Sequence, residues 1–295
     1  MHEITVLSGK GGTGKTTITG ALAALAESVV ICDNDVDAAD LFLLLQPNIQ
    51  QREPFISGNT ASINTEACNQ CGLCQSNCRF DAIQQTDKGY YHIDPFACEG
   101  CRLCERLCPQ SAITSSKNDG NTWFMSDTRF GTFVHAQMGP GEENSGKLVS
   151  FIRKQAKETA AKNNAGYIIN DGPPGIGCPV IASLSGTKQV LLVIEPTQSG
   201  WHDAERLIQL IRQFQIPVTA VINKAGLHEA MEQHIEEQLI SHDIPLIAKI
   251  PYSQVFRQAM LNLQTIVEYA PDSEESQLIK KVWNTLAANK TQITN

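Results

Sequence analysis

The sequence predicts an α/β protein built on a mostly parallel sheet with helices on both faces, into which a small α+β domain is inserted. Two observations support this prediction. Short apolar runs, each typical of a buried strand, alternate with segments that repeat apolar residues at helical spacing. Between residues 62 and 113 the alternation stops, and a cysteine-rich segment repeats itself. The 295 residues suffice for one large domain or two smaller ones.

The strands of the main domain are predicted where apolar runs end near glycine, proline or an acidic residue. The six runs are Ile4–Leu7, Val29–Cys32, Tyr167–Asn170, Gln189–Ile194, Val218–Ile222 and Ile247–Ile250. Helical spacing follows Lys15 and recurs near 147–162, 200–214 and 228–240. Buried strands separated by helices are typical of parallel sheets that are covered on both faces. Residues 121–135 are predicted to form a hairpin that leads back to the main sheet.

Composition argues against several classes of protein. The formal net charge is -8, and no basic stripe typical of nucleic-acid binding is present, so nucleic acid is not an expected partner. The chain has no apolar run of the roughly 18 residues that a membrane helix needs. Residues 1–7 lack the basic and apolar regions of a signal peptide. We therefore expect a cytoplasmic protein, and a membrane is not an expected partner.

A phosphate-binding loop joins the first predicted strand to the first predicted helix. Residues 9–16, GKGGTGKT, fit the pattern G-x-x-x-x-G-K-[ST] in full. The glycines let backbone N–H groups approach phosphates, and the helix presents the positive end of its dipole. Lys15 is predicted to contact the β- and γ-phosphates, and the Thr16 hydroxyl to bind Mg²⁺. The ATP-binding residues predicted in this loop are Gly9, Lys10, Gly11, Gly12, Thr13, Gly14, Lys15, Thr16 and Thr17.

The loop also contains a second lysine, Lys10. The pattern KGGxGK[ST] resembles the deviant phosphate loop of the MinD/ParA/Mrp class of ATPases, which includes the nitrogenase iron protein. The resemblance covers nearly the whole chain, and it implies a homodimer in which Lys10 reaches the partner's nucleotide. Lys10 and Lys15 would then both be catalytic, because a cation supplied in trans stabilises phosphate charge only in the closed dimer. The alternative for Lys10 is a solvated surface lysine.

Polar residues follow three of the predicted strands. By resemblance to the family's D-x-D element, Asp35 would orient the attacking water and Asp33 would support Mg²⁺, with Asp37 in the switch loop. Asp171 begins DGPPG, which resembles the family's DxPPG switch, and would bind Mg²⁺ through water. Asn223 matches the family's adenine-recognising asparagine, whose amide can donate and accept. The alternative for Asp33, Asp35 and Asp37 is a turn with solvated acids. The alternative for Asn223 is an ordinary polar residue at the end of a strand.

Eight of the ten cysteines form the internal repeat. The run C-x2-C-x2-C-x3-C at 68–78 recurs at 98–108, and in bacterial ferredoxins with this run the fourth cysteine ligates the other cluster. The segment resembles a two-cluster 4Fe–4S ferredoxin over its whole length. The resemblance implies cluster 1 on Cys68, Cys71, Cys74 and Cys108, and cluster 2 on Cys98, Cys101, Cys104 and Cys78. Zinc and disulfides are the alternatives, although zinc sites usually need two pairs of ligands and disulfides favour a secreted chain.

Other features carry weaker signals. Arg79 stands after Cys78, whereas Cys108 keeps the proline usual in ferredoxins. Cys32 is predicted to be a buried apolar residue. Cys178 lies seven residues after Asp171, the interval of a cluster-ligating cysteine in the nitrogenase iron protein, so it is an extra ligand, a reactive thiol or ordinary packing. An apolar stripe is predicted to dock a C-terminal helix on the domain, at Leu278, Ile279, Val282, Trp283 and Leu286.

These predictions combine into one interpretation. Residues 1–61 and 114–295 form a P-loop ATPase domain, and residues 62–113 form an inserted two-cluster ferredoxin domain. The predicted function couples an ATP-driven dimer switch to electron transfer through two 4Fe–4S clusters, with an unnamed redox partner. One alternative is an iron–sulfur carrier or assembly ATPase of the Mrp type, whose partner is an apo-protein. A second alternative is a positioning ATPase of the MinD/ParA type.

Overall fold

The computed structural model describes residues 1–56, 58–95, 97–139 and 145–293. In chain order the elements are β1 (His2–Ser8), α1 (Lys15–Leu25), β2 (Val29–Asp33), α2 (Leu41–Leu45), β3 (Asn48–Phe55), β4 (Gly58–Ile63), α3 (Leu73–Ser76), β5 (Ile83–Gln85), β6 (Tyr91–Ile93), α4 (Leu103–Leu107), β7 (Ile113–Asn118), β8 (Asn121–Asp127), β9 (Gly131–Gln137), α5 (Ser145–Lys162), β10 (Tyr167–Pro174), α6 (Cys178–Leu184), β11 (Gln189–Ile194), α7 (Gln198–Gln213), β12 (Val218–Ala225), α8 (Glu229–Ser241), β13 (Leu246–Pro251), α9 (Gln254–Leu261), α10 (Ile266–Tyr269) and α11 (Glu274–Ile293).

The chain divides into two compact units. The main unit comprises Met1–Arg52, Trp123–Gln137 and residues 145–293. The inserted unit comprises Glu53–Thr122 and, of the described residues, 138–139. The segment 62–113, predicted as a separate domain, falls within the inserted unit.

A nine-stranded sheet forms the centre of the main unit, in the order β13-β12-β11-β1-β10-β2-β9-β8-β3. The seven strands from β13 to β9 pair in parallel. All six predicted strands are present, and the predicted hairpin of residues 121–135 supplies β8 and β9. β3 was not predicted, because its sequence NIQQREPF is largely polar and exposed.

The two faces of the sheet bury separate apolar cores, as expected of a parallel sheet. Successive residues of β11 show the division, since side chains alternate across a strand. Leu191 and Val193 belong to the core that includes α1, α2, α10 and α11. Val190 and Leu192 belong to the core that includes α6, α7 and α8. The α/β class with helices on both faces is therefore confirmed.

The C-terminal helix α11 packs its apolar stripe on the first of these cores. Ile279, Val282 and Leu286 are fully buried, and Leu278 and Trp283 pack beside them. This arrangement confirms the predicted docking of the stripe on the domain. None of the helices in the described part of the chain is long and apolar enough to cross a bilayer.

The inserted unit contains two small antiparallel sheets, one formed by β4 and β7 and the other by β5 and β6. Its backbone repeats with the sequence. Three pairs of residues, each 30 positions apart, share the left-handed conformation: Gln70 and Gly100, Gly72 and Arg102, and Asp81 and Ser111. Because non-glycine residues seldom adopt positive φ, this correspondence marks two copies of one wrapped backbone.

Candidate functional site

The phosphate loop lies at the carboxyl edge of the main sheet. Strand β1 ends at Ser8, and α1 begins at Lys15. In the neighbouring strands β10 and β2, Asp171 pairs with Asp33. β10 continues beyond its predicted end at Asn170, so Asp171 lies inside the strand. Open parallel sheets bind ligands outside the carboxyl ends of their strands, which makes this edge the expected site.

Two glycines of the loop are required by their surroundings. Gly14 caps α1 at φ 89°, and a Cβ there would lie 2.3 Å from Asn223 Nδ2. A Cβ at Gly9 would lie 2.4 Å from the backbone carbon of Asp203. Any larger residue at these two positions would displace the loop.

Lys15 is buried among carboxylates. Its Nζ lies 3.1 Å from Asp171 Oδ1 and 3.4 Å from Asp35 Oδ2. Thr19 also donates to Asp171 Oδ1, at 3.0 Å. Burial alone would lower the pKa of Lys15, but the negative charges of Asp171, Asp35 and Asp33 outweigh burial and raise the pKa. Lys15 therefore stays protonated and pairs with two of the three predicted site carboxylates, Asp35 and Asp171.

The carboxylates Asp33 and Asp35 suit a divalent cation. Burial, followed by repulsion from Asp171, raises the pKa of Asp33 well above its ordinary value. Burial also raises the pKa of Asp35, against the opposing effect of Lys15. Asp33 Oδ1 accepts from the Asp35 backbone N–H at 3.1 Å, whereas Asp33 Oδ2 is buried without a partner among the described residues. Mg²⁺ prefers such carboxylate oxygens.

Lys10 makes its contacts within its own chain. Its Nζ donates to Thr197 Oγ1 at 3.1 Å and to Ser199 Oγ at 3.2 Å, and lies 3.8 Å from Glu195 Oε2. Thr197 also caps α7 by accepting from the Gly200 N–H. The structure therefore places the Lys10 amine at the start of α7, and its role in a dimer remains a prediction.

Asn223 and its neighbour Lys224 support the phosphate loop. Asn223 Nδ2 donates to the Thr13 carbonyl at 2.6 Å. Lys224 Nζ donates to the Gly12 carbonyl at 2.8 Å and pairs with Glu195 at 3.2 Å. Loop support by both residues was not predicted, because the sequence shows only that they follow an apolar run. Adenine recognition by Asn223 stays a prediction.

An open cleft of about 540 Å³ adjoins the phosphate loop. It is lined by residues 11–17, which include Thr16 and Thr17, by Asp35 and Asp40, and by an apolar side. The side chains of this apolar side are Leu43, Leu44, Met260 and Leu263. Sequence reasoning missed these four, since only the spatial arrangement distinguishes them from ordinary core residues.

The repeat cysteines gather in the inserted unit. One cavity there is lined by Cys78, Cys98, Cys101 and Cys104, the four residues predicted for cluster 2, together with Cys74. All ten cysteines of the chain are free thiols, so the disulfide alternative is not present. Within the described ranges, no three His, Cys, Asp or Glu side chains are placed to hold a metal ion.

Three of the four cysteines predicted for cluster 1, Cys68, Cys71 and Cys74, lie near one another. Burial raises the pKa of the Cys74 thiol, and the neighbouring Cys68 and Cys71 add to the rise. Backbone N–H groups donate to two of the sulfurs, Gln70 to Cys68 Sγ at 3.4 Å and Ala112 to Cys108 Sγ at 3.3 Å. Such N–H···S contacts offset thiolate charge.

The two remaining cysteines lie in the main unit. Cys32 is fully buried, as expected of an apolar residue, and burial raises its pKa well above the ordinary value. Cys178 is exposed at the first position of α6. The roles of Cys178 as an extra ligand or a reactive thiol stay predictions.

Comparison with known protein families assigns the chain. Residues 4–266 match the CbiA family, the CobQ/CobB/MinD/ParA nucleotide binding domain. The chain belongs to this family. The predicted P-loop ATPase family is thereby confirmed, whereas the match says nothing about iron–sulfur clusters.

Individual relatives agree with this assignment. The chain is 31% identical to an uncharacterized protein of Methanocaldococcus jannaschii over 97% of this chain and 96% of that one. It is 27% identical to an iron–sulfur cluster carrier protein of Deinococcus radiodurans, over 48% of this chain and 43% of that one. The septum site-determining protein MinD of Pyrococcus horikoshii, solved with Mg-ADP, is 19% identical, with a TM-score of 0.57 and coverage of 97% and 95%. At that identity the likeness shows the fold alone.

Proposed function

We propose that this protein binds and hydrolyses ATP as a homodimer and couples the resulting switch to electron transfer through two 4Fe–4S clusters. The observation that carries the proposal is the cavity lined by Cys98, Cys101, Cys104 and Cys78. Its fourth cysteine comes from the other copy of the repeat. Ferredoxins of this pattern use such an exchange of ligands.

The inserted unit suits the clusters in three respects. Apolar side chains, including Ala61, Ile83 and Ile93, line the cavity beside the cysteines and would shield a cluster from water. The left-handed residues wrap the backbone in the same way in both repeats. Gly100 permits this wrapping, because a Cβ there would lie 2.0 Å from the Asn59 carbonyl oxygen. When bound, each cluster would supply a site that accepts and releases one electron.

The main unit suits Mg-ATP. Lys15 would exchange its pairing with Asp35 and Asp171 for the β- and γ-phosphates, freeing these carboxylates. Asp33, Asp171 and the Thr16 hydroxyl would hold Mg²⁺, and Asp35 would orient the attacking water. Release of Asp171 from Lys15 would alter the end of β10, which continues into the loop before α6. We propose this loop as the switch.

Dimer closure assigns a role to Lys10. To reach a partner's nucleotide, Lys10 would leave Thr197, Ser199 and Glu195, the contacts it makes in its own chain. The exchange replaces a partly exposed ion pair with charge-assisted bonds to phosphate, which are stronger. Hydrolysis would thus depend on the dimer.

A second candidate is iron–sulfur carriage or assembly with an apo-protein partner. Exposure of Cys71 and Cys101, one in each predicted ligand set, favours it, because exposed ligands can be replaced by those of a client. The partial similarity to the carrier protein of Deinococcus radiodurans agrees. A positioning ATPase is the third candidate, and only the similarity of the fold to MinD supports it.

The cluster proposal is tested by counting metal. We expect anaerobically purified protein to contain about eight iron and eight sulfide per chain. Cys78→Ala and Cys108→Ala should each remove about half of the iron, and Cys178→Ala should remove none. A protein without iron after anaerobic reconstitution would refute the two clusters and leave a bare nucleotide switch.

A further inference from the structure

One carboxylate, that of Glu195, is shared by two lysines that contact or belong to the phosphate loop. Glu195 Oε2 lies 3.2 Å from Lys224 Nζ and 3.8 Å from Lys10 Nζ. Lys10 is part of the loop, and Lys224 donates to the loop's Gly12 carbonyl at 2.8 Å. The side chains of Glu195, Lys224 and Lys10 are 17%, 29% and 27% exposed, so water screens their charges only in part.

The backbone anchors Glu195 between strand β11 and helix α7. Its carbonyl accepts from the Thr197 N–H at 2.7 Å. Gly200 in α7 lies close to the same carbonyl, since a Cβ there would lie 2.5 Å from the Glu195 oxygen. Thr197, which receives the hydrogen bond from Lys10, is therefore tied to the residue whose carboxylate attracts that lysine.

Lys224 reaches Glu195 from a bulge in strand β12. The register of β12 against β13 shifts between Asn223 and Ala225, and Lys224 between them has a φ of 61°. Residues other than glycine seldom adopt positive φ, and bulges are a common means of re-aiming a side chain. Because the bulge sets the Lys224 amine beside Glu195, this carboxylate keeps a cationic partner when Lys10 moves away.

We propose that Glu195 is a positioning residue that keeps Lys10 within its own chain and so sets how readily two nucleotide-bound chains close into a dimer. The inference rests on the proposed dimer, in which Lys10 reaches the partner's nucleotide. Release of Lys10 breaks a partly exposed ion pair, which is a weak interaction, and Lys224 stays with the carboxylate. Each closed dimer releases two Lys10 side chains, one from each chain, so the cost of release counts twice.

Glutamine at this position would remove the charge and keep the shape of the side chain. The amide oxygen can still accept a hydrogen bond from Lys224, whose bond to the Gly12 carbonyl is independent of the charge. Without the shared carboxylate, the ammonium groups of Lys10 and Lys224 repel each other. Lys10 would then be released at lower cost, and the dimer would form at lower protein concentration.

The test measures dimerisation and nucleotide binding separately on the full chain. Sedimentation equilibrium with a saturating non-hydrolysable ATP analogue and Mg²⁺ gives the dimer dissociation constant. Titration of dilute, monomeric protein with a fluorescent form of the analogue gives the affinity of the single chain. We expect Glu195→Gln to lower the dimer dissociation constant by about tenfold, which is about threefold for each released lysine. The affinity of the single chain for the analogue should change by less than about twofold.

Glu158→Gln is the matched control. Glu158 also forms an ion pair of 3.8 Å, with Lys154, but on the surface of α5, where the two side chains are 48% and 72% exposed. This variant should keep the dimer dissociation constant of the unaltered protein.

Two results would overturn the inference. In the first, Glu195→Gln binds the analogue normally and dimerises no more tightly than the unaltered protein. In the second, it weakens binding of the analogue to the single chain, which indicates that Glu195 supports the phosphate loop and does not restrain Lys10. If the unaltered protein bound the analogue and stayed monomeric, the proposed dimer would fail, and the inference with it. If it did not bind the analogue, the proposed ATP binding itself would fail.

Discussion

Lys15 and Asp171 form a buried ion pair of 3.1 Å that joins the phosphate loop to strand β10. The pair brings together two residues that are 156 positions apart in the sequence. It connects the cation that is predicted to contact phosphate with the first residue of the DGPPG segment. Any change in the partner of Lys15 therefore changes the contacts of Asp171 in β10.

Replacement of Lys15 should affect both binding and stability. Lys15→Met should abolish measurable ATP binding and lower the free energy of unfolding by about 3–5 kcal/mol, because buried carboxylates lose their only buried cationic partner among the described residues. Urea unfolding and nucleotide titration measure the two effects. Lys154→Met, at a side chain that is 72% exposed, should change stability by less than about 0.5 kcal/mol. Equal effects of the two variants would contradict the role of Lys15.

Replacement of Lys10 should separate binding from turnover. Lys10→Ala should bind ATP within about threefold of the unaltered protein, because its amine contacts Thr197 and Ser199. Its kcat for hydrolysis should fall by about 10³-fold if the lysine acts across the dimer. Steady-state kinetics and light scattering with ATP provide the measurements. A normal kcat would support the solvated-lysine alternative.

Replacement of Asn223 should distinguish loop support from base recognition. Because Asn223 Nδ2 donates to the Thr13 carbonyl of the phosphate loop, Asn223→Ala should weaken the binding of both tripolyphosphate and ATP, each by about fivefold. Loss of ATP binding alone would show that the asparagine acts only on the base. Isothermal titration calorimetry of the full chain with each ligand and Mg²⁺ measures both affinities.

The stability of the main unit should fall with acid because of His135. This ring is stacked between Phe124 and Phe133, and burial lowers its pKa to about 4. The unfolded chain then binds a proton below about pH 6.5 that the folded chain excludes until about pH 4. The contribution of neutral His135 to the free energy of unfolding is therefore fully present above the unfolded pKa. It is lost as the pH falls from about 6.5 to about 4, and the loss reaches about 3 kcal/mol.

The matched variants are His135→Gln and His202→Gln. Urea unfolding between pH 7 and pH 5 should show a smaller loss of stability for His135→Gln than for the unaltered protein. His202 is exposed, and its variant should keep the original slope. An unchanged slope in His135→Gln would contradict the assignment.

Much of the fold could be predicted because the buried strands are short and almost wholly apolar. Gln189–Ile194 was predicted with its observed bounds. β3 was missed because it is largely polar and exposed, and α9 was missed because its eight residues are too few for a secure helical pattern. β10 and β12 run past their predicted ends because pairing with neighbouring strands, such as Asp171 with Val6, extends them through polar residues.

Some features of the candidate site could be predicted from the sequence, and others could not. Local motifs reveal the phosphate loop, since its chemistry requires fixed spacing along the chain. The contacts of Lys224 with Gly12 and of Arg129 with Leu263 join distant segments and leave no local pattern. The same holds for the ion pair between Lys15 and Asp171, whose partners are each visible in the sequence while their contact is not.

The proposed action of ATP on the clusters can be measured by an EPR-monitored redox titration of anaerobically purified protein with and without Mg-ATP. We expect a midpoint potential or spectrum that changes with Mg-ATP, and Lys15→Met should abolish this change. Clusters that are present but indifferent to ATP in the unaltered protein would contradict the coupling and favour cluster transfer to an apo-protein.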